Sequence, residues 1–151
     1  MDSQYIKIVN GNLLDATEQY ILHQCNCVTH TAKGLAAALF TAYPSANTYE
    51  TNTIRKLGTY DKILVTDSLI VCNAYAQYFP GKPTYADTAL AREQFFEQIL
   101  QQILADDNSS QYYLPWHIGC GLAGGNWNNY YNIITNVAAA HNANVKICKI
   151  D

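Results

Sequence analysis

The chain has little charge and no basic surplus. Only 14% of its 151 residues are charged, and the formal net charge is -3. A duplex-binding protein normally carries excess Lys and Arg, so this balance argues against duplex nucleic acid as the partner. It leaves a small anionic ligand open, because backbone amides bind phosphate without net positive charge. Long apolar runs are also missing. No stretch approaches the roughly 18 apolar residues of a membrane span. The opening MDSQYIKIVNGN lacks the apolar core of a signal peptide. The expectation is a soluble protein of the cytoplasm or nucleus with no membrane partner. Linkers, repeats and low-complexity tracts are absent too, so residues 1–151 read as one domain. A domain of this size buries roughly 70% of its unfolded surface. The 49% hydrophobic content then supplies a core without staples. The five cysteines, Cys25, Cys27, Cys72, Cys120 and Cys148, are an odd set spread through apolar segments. They read as reduced thiols.

Strand signals and helix signals alternate along what is present. Residues 5–9 (YIKIV) alternate and are β-branched, and 20–27 (YILHQCNC) read as a buried strand entering a loop. From Gly34, Leu35, Leu39 and Tyr43 recur at helical spacing up to Pro44. A weaker helix is predicted over 46–56. Residues 62–65 and 69–74 read as strands, and 75–83 as a loop. Thr84 and Asp87 then resemble a capping box ahead of Phe96, Ile99, Leu100 and Ile103. A strand at 112–117, a glycine-rich loop at 119–125, a helix capped by Asn126 and running to Ala140, and a strand at 144–150 complete the chain. The pattern implies an α/β fold with a largely parallel or mixed sheet covered on both faces. Ligands in such sheets sit beyond the carboxyl ends of the strands, where the loops 26–34 and 119–126 fall.

Two constellations carry chemistry. The loop HIGCGLAGGNW, 117–127, lets glycine amides approach an anion ahead of a helix N-terminus. The plain structural reading is a tight turn that needs positive φ. It is neither a Walker loop nor a dinucleotide fingerprint. The second constellation is His23-Gln24-Cys25-Asn26-Cys27. On a strand, His23, Cys25 and Cys27 share one face, with Gln24 and Asn26 on the other. With His30 they spell H-x-C-x-C-x-x-H, a poor spacing for structural zinc, so no metal and no cofactor are expected. His23 is a candidate general acid or base, with a hydrogen-bonded core histidine as the alternative. Lys33 stands where an anion could be held, or is simply solvated. Asp87 is most simply a cap. Tyr75, Tyr78, Phe79 and Tyr85 cluster around one loop, where an adenine or ribose could pack, although a core role is the simpler reading.

Taken together, these segments resemble the macrodomain family over nearly the whole chain. The resemblance rests on Gly11-Asn12-Leu13 after the first strand, HQCNC followed by AKGLA, and GCGLAGGNW. It implies a three-layer α/β/α sandwich with a mixed central sheet, and ADP-ribose or a derivative as ligand, free or on an ADP-ribosylated protein. By resemblance Asn12 reads the adenine amino edge and Asn26 contacts the distal ribose. Ala32, Lys33 and Gly34 approach that ribose and the diphosphate. Gly119, Cys120, Gly121, Leu122, Ala123 and Gly124 cradle the diphosphate.

Within the family, IGCGL (118–122) and KPTY (82–85) resemble the terminal ADP-ribose protein glycohydrolase. ILHQCNC (21–27) is similar to the yeast ADP-ribose-1''-phosphate phosphatase. The glycohydrolase carries a lysine before KPTY and an aspartate just after GCGL. Here residues 75–78 contain no lysine, and Ala123 stands in the aspartate's place. The phosphatase's histidine has a counterpart in His23. The resemblance therefore implies phosphomonoester hydrolysis on ADP-ribose, with His23 and Asn26 as the candidate catalytic residues. The alternatives are a reader without turnover, and a hydrolase that removes mono-ADP-ribose or acetyl from ADP-ribose.

Overall fold

Six segments rich in Ile, Val, Leu and Tyr pair into one sheet in the computed structural model, which describes residues 4–150. Residues 1–3 and 151 of the expected single-domain span lie outside the described residues. The strands are β1 (Ile6–Asn10), β2 (Gln19–Asn26), β3 (Thr59–Leu64), β4 (Leu69–Gln77), β5 (Gln111–Pro115) and β6 (Asn144–Lys149). Their order is β1-β6-β5-β2-β4-β3. Every neighbouring pair is parallel except β3 and β4, so the sheet is mixed. The helices are α1 (Gly34–Ala42), the four-residue α2 (Thr48–Thr51), α3 (Ala89–Asp106) and α4 (Trp127–His141).

Apolar residues on both faces of the central strands demand cover on both sides. On one face, Phe96, Leu100 and Leu104 of α3 and Ile134 and Val137 of α4 pack on Leu22, Ala74, Leu114 and Ile147. On the other, Leu39 and Phe40 of α1, with Tyr49 of α2, pack on Ile21, Cys25, Val71 and Tyr75. The result is the three-layer α/β/α sandwich that the resemblance implied. Among the described residues no helix is long and apolar enough to cross a membrane. All five cysteines are unpaired thiols.

Several boundaries differ from the sequence reading, each for a physical reason. The helix expected over 46–56 is α2 alone. Beyond it the Asn52 side chain takes over the backbone's bonding, with Oδ1 accepting from Ile54 N at 3.1 Å and Nδ2 donating to Asp61 at 2.7 Å. Helix α3 begins five residues past Thr84, at Ala89, and is capped by Thr88, whose hydroxyl accepts from Ala91 N at 3.1 Å. Thr84 and Asp87 instead exchange backbone hydrogen bonds, and the Asp87 side chain turns inward. Strand β4 runs on to Gln77 because a bulge between Cys25 and Asn26 sets Asn26 against Gln77. Strand β5 stops at Pro115, where His117 adopts φ 63°. Asn126 does cap α4, its side chain accepting from Asn129 N.

Candidate functional site

Five strands run parallel, so their carboxyl ends share one edge of the sheet. A cleft of about 870 Å³ lies across that edge. Each of the five ends contributes to it: Asn12 after β1, Asn26 of β2, Gln77 of β4, the loop after β5, and Ile150 after β6. The volume is within the range of small-molecule sites.

The glycine loop forms one wall. Its backbone bonds to itself through Ile118 N to Pro115 O, Cys120 N to His117 O, Gly124 N to Gly121 O and Gly125 N to Gly119 O. Among the described residues, the amides of Gly119, Gly121, Leu122 and Ala123 find no protein acceptor. Gly119 (φ 74°) and Gly124 (φ 70°) hold the left-handed conformations that glycine adopts readily. Gly121 does not, so its place in the loop is not explained by strain. A Cβ there would meet nothing within 4 Å.

The facing wall is the loop after β2 and the start of α1. Lys33 precedes the helix without a side-chain cap, and the first-turn amides of Gly34, Leu35 and Ala36 are left for a ligand or water. Gly34 (φ 57°) brings this wall under the Leu122 side chain, whose Cδ1 would lie 3.4 Å from a Cβ on Gly34. The two loops therefore meet over the cleft. Asn26 sits at the base of this wall and is buried. Its Oδ1 accepts from Val28 N at 3.1 Å and Thr29 N at 2.9 Å. Arg55 donates to the carbonyls of Asn26 at 3.3 Å and Thr29 at 2.7 Å, so the turn is tied at both ends.

The structure brings most of the expected site residues together. Asn12, His23, Asn26, Lys33, Gly34, Gly119, Gly121, Leu122 and Ala123 all line the cleft. Ala32, Cys120 and Gly124 do not. The Cys120 amide and the Gly124 amide are both used inside the loop. Asn12 caps the short 3₁₀ turn Leu13–Asp15 with its Oδ1, which leaves its side-chain NH₂ for a ligand.

His23 borders the cleft from beneath. It is 1% exposed, and its Nε2 lies 2.5 Å from Asn73 Oδ1. Burial lowers its pKa to about 4, against the opposing pull of the Asn73 bond. The ring is therefore neutral at pH 7. An unfolded histidine takes up its proton near 6.5, while this one resists until about 4. The stability held in the neutral ring is thus complete above about pH 6.5 and lost as the pH falls toward 4, by roughly 3 kcal/mol. The melting temperature is expected to fall over that window more steeply in the wild type than in His23→Gln. Parallel melting curves across the window would show that the ring does not resist protonation.

Sequence reasoning missed several residues. Arg92 is 2% exposed and ion-paired to Asp87 at 2.7 Å. It also donates to Gly81 O at 2.8 Å and Ala123 O at 3.2 Å, which joins the loop after β4 to the glycine loop. Burial pushes the Asp87 carboxyl up, but Arg92 and the amides of Phe79 and Tyr78 outweigh it and hold it below the usual range. Asp87 is thus a clamp and not the helix cap that its position suggested. Beneath the cleft, Tyr130 OH donates to Gln24 Oε1 at 3.0 Å, and Gln24 Nε2 donates to Gln77 Oε1 at 2.7 Å. Trp116 and His117 stack at 4.9 Å along the wall after β5. Of the aromatic loop residues, Tyr75 is core, whereas Tyr85 is 97% exposed.

Solved macrodomains share this sandwich and strand arrangement, and the chain has the macrodomain fold. It superposes on the macrodomain of Mycobacterium tuberculosis DarG with a TM-score of 0.76 at 18% identity, over 95% of this chain and 96% of the other. Thermosipho africanus DarTG in complex with ADP-ribose matches with a TM-score of 0.73 at 16% identity, over 99% of this chain and 42% of that longer one. A protein of unknown function from Bacteroides thetaiotaomicron gives a TM-score of 0.81 at 22% identity, over 97% and 99%. No family model and no curated protein matches the chain.

Proposed function

We propose that the cleft binds ADP-ribose, or ADP-ribose substituted on its distal ribose. The observation that carries this reading is the pair of facing walls with unpaired amides, from the glycine loop and from the start of α1. Unpaired amides at a helix start and in a glycine loop suit a diphosphate without net positive charge. Asn12 at one end suits an adenine edge, because a side-chain amide both donates and accepts. Asn26 at the other end suits a ribose hydroxyl. The Thermosipho africanus neighbour, solved with ADP-ribose, supports the same ligand.

The reaction we infer is hydrolysis of ADP-ribose-1''-phosphate. Water attacks phosphorus, the bond from phosphorus to the ribose oxygen breaks, and ADP-ribose and inorganic phosphate leave. Lys33 and the amides beside it would stabilise charge on the phosphate oxygens. Asn26 would hold the ribose in line. The buried, neutral His23 stays out of the proton transfer: the attacking water gives its proton to a phosphate oxygen, and a phosphate proton passes to the departing ribose oxygen. Calorimetry is expected to show saturable binding of ADP-ribose, tighter than AMP. Incubation with ADP-ribose-1''-phosphate is expected to release phosphate. Absence of binding at millimolar ligand would sink the reading. Binding without release of phosphate, or of ADP-ribose from modified protein, would make the chain a reader.

A further inference from the structure

The cleft floor holds a polar relay whose sense is forced from one end. The Phe79 carbonyl can only accept, so Gln77 must present its amide NH₂ to it, at 2.9 Å. Gln77 Oε1 then faces Gln24. Two carbonyl oxygens do not pair, so Gln24 Nε2 must donate to it, at 2.7 Å. Gln24 Oε1 is left as the acceptor for the Tyr130 hydroxyl, at 3.0 Å. Tyr130 is buried, and the glycine loop rests on its ring: a Cβ on Gly119 would lie 2.5 Å from its Cζ, and one on Gly125 3.0 Å from its Cε2. The Gln24 amide is thus held at both its oxygen and its nitrogen, beneath the edge of the glycine loop.

The relay uses one of the two Nε2 protons of Gln24. Among the described residues the other has no acceptor, and Gln24 lines the cleft half-buried. A fixed amide with a spare proton is a donor set for a ligand oxygen. Its place says which oxygen. Gln24 stands two residues before Asn26 on β2, and both residues meet Gln77 at the end of β4. Asn12 lies off the end of β1, three strands away along β1-β6-β5-β2, which is about 14 Å at ordinary strand spacing. A ligand with its adenine at Asn12 therefore has its distal ribose near Gln24. We propose that Gln24 is a ligand-binding residue: its spare Nε2 proton donates to an oxygen of the distal ribose or of the group that the ribose carries, and Gln77, anchored on Phe79, holds it in that pose. This rests on the reading of the Asn26 end as the ribose site. The amide supplies binding alone, because it neither titrates near neutrality nor attacks.

The test compares ADP-ribose with AMP, which reaches only the Asn12 end. Gln24→Met keeps the length of the side chain and removes both amide protons. It is expected to weaken ADP-ribose about tenfold, the size of one lost hydrogen bond, and AMP by less than about twofold. Equal losses for the two ligands, or no loss for either, overturn the proposal, since a residue that merely supports the fold does not tell them apart. Should the variant not fold, the wild type decides the matter. In its NMR spectrum one of the two Gln24 side-chain amide protons is expected to shift on adding ADP-ribose and to stay in place on adding AMP. Gln24 resonances that stay unmoved at saturating ADP-ribose overturn the proposal, and the ligand assignment stands. Ribose-5-phosphate separates the remaining cases. A wild type that ignores ADP-ribose but shifts the Gln24 proton with ribose-5-phosphate loses the ligand assignment and keeps the donor. A wild type that binds neither loses both.

Discussion

Gly121→Glu is expected to abolish ADP-ribose binding in a protein that still folds. Gly121 lines the cleft in a backbone conformation open to any residue, and a Cβ there meets no atom within 4 Å. The fold thus tolerates the side chain, and the ligand does not. A carboxylate about 4 Å from a phosphate charge costs on the order of 4 kcal/mol at a surface-like effective dielectric. Loss of the space itself adds to this. A fall in affinity of more than about a hundredfold follows, read by calorimetry with a melting curve as the control. Gly121→Ala should bind within about threefold of the wild type. Gly119→Ala is the contrasting case. Its Cβ would lie 2.5 Å from Tyr130 Cζ at φ 74°, so its melting temperature should fall before any ligand is added. Full affinity in Gly121→Glu would mean that the loop is only a turn.

Asp87→Ala is expected to cost the most stability of any single truncation near the site. The Asp87 carboxylate accepts from Arg92 at 2.7 Å, Phe79 N at 2.9 Å and Tyr78 N at 3.1 Å. Without it the Arg92 charge stays buried with no counter-charge. Breaking one side of a buried pair typically costs about 3–5 kcal/mol. In a domain of this size that is a drop of about 10 °C in melting temperature. Affinity should fall as well, because Arg92 joins Gly81 and Ala123 across the rim of the cleft. Scanning calorimetry on the variant checks the first effect and ADP-ribose titration the second. A melting temperature within about 2 °C of the wild type would show that the pair is not the clamp.

Local chemistry was legible where a single segment contains its own reason. The glycine-rich stretch 117–127 declares a loop because Gly119 and Gly124 adopt left-handed backbone readily, with no distant partner needed. Asn126 declares a helix start because its acceptor reaches Asn129 three residues on. Leu39, Phe96 and Ile99 declare buried helix faces by spacing, and the alternation of such segments implies the layered sandwich. Asn12, Asn26 and Lys33 were placed by resemblance in loops that the parallel sheet then had to gather at one edge.

What only the tertiary structure decided depends on partners far along the chain. Tyr130 and Gln24 are 106 residues apart, Arg92 and Ala123 are 31 apart, and no local pattern couples either pair. Asp87 reads as a helix cap until Arg92 and the amides of Tyr78 and Phe79 converge on it. For Gly121 the sequence leaves two readings, a cradle for a diphosphate or a turn that needs positive φ, and only the backbone decides: its φ is not positive and a Cβ there meets no atom within 4 Å. His23 is the clearest case. As a residue type it is a proton-transfer group near neutrality. Folding buries it against Phe40 of α1 and bonds it to Asn73, which β4 places 50 residues away. The cost of desolvating its charge, absent from the unfolded chain, turns it into a neutral member of a buried network.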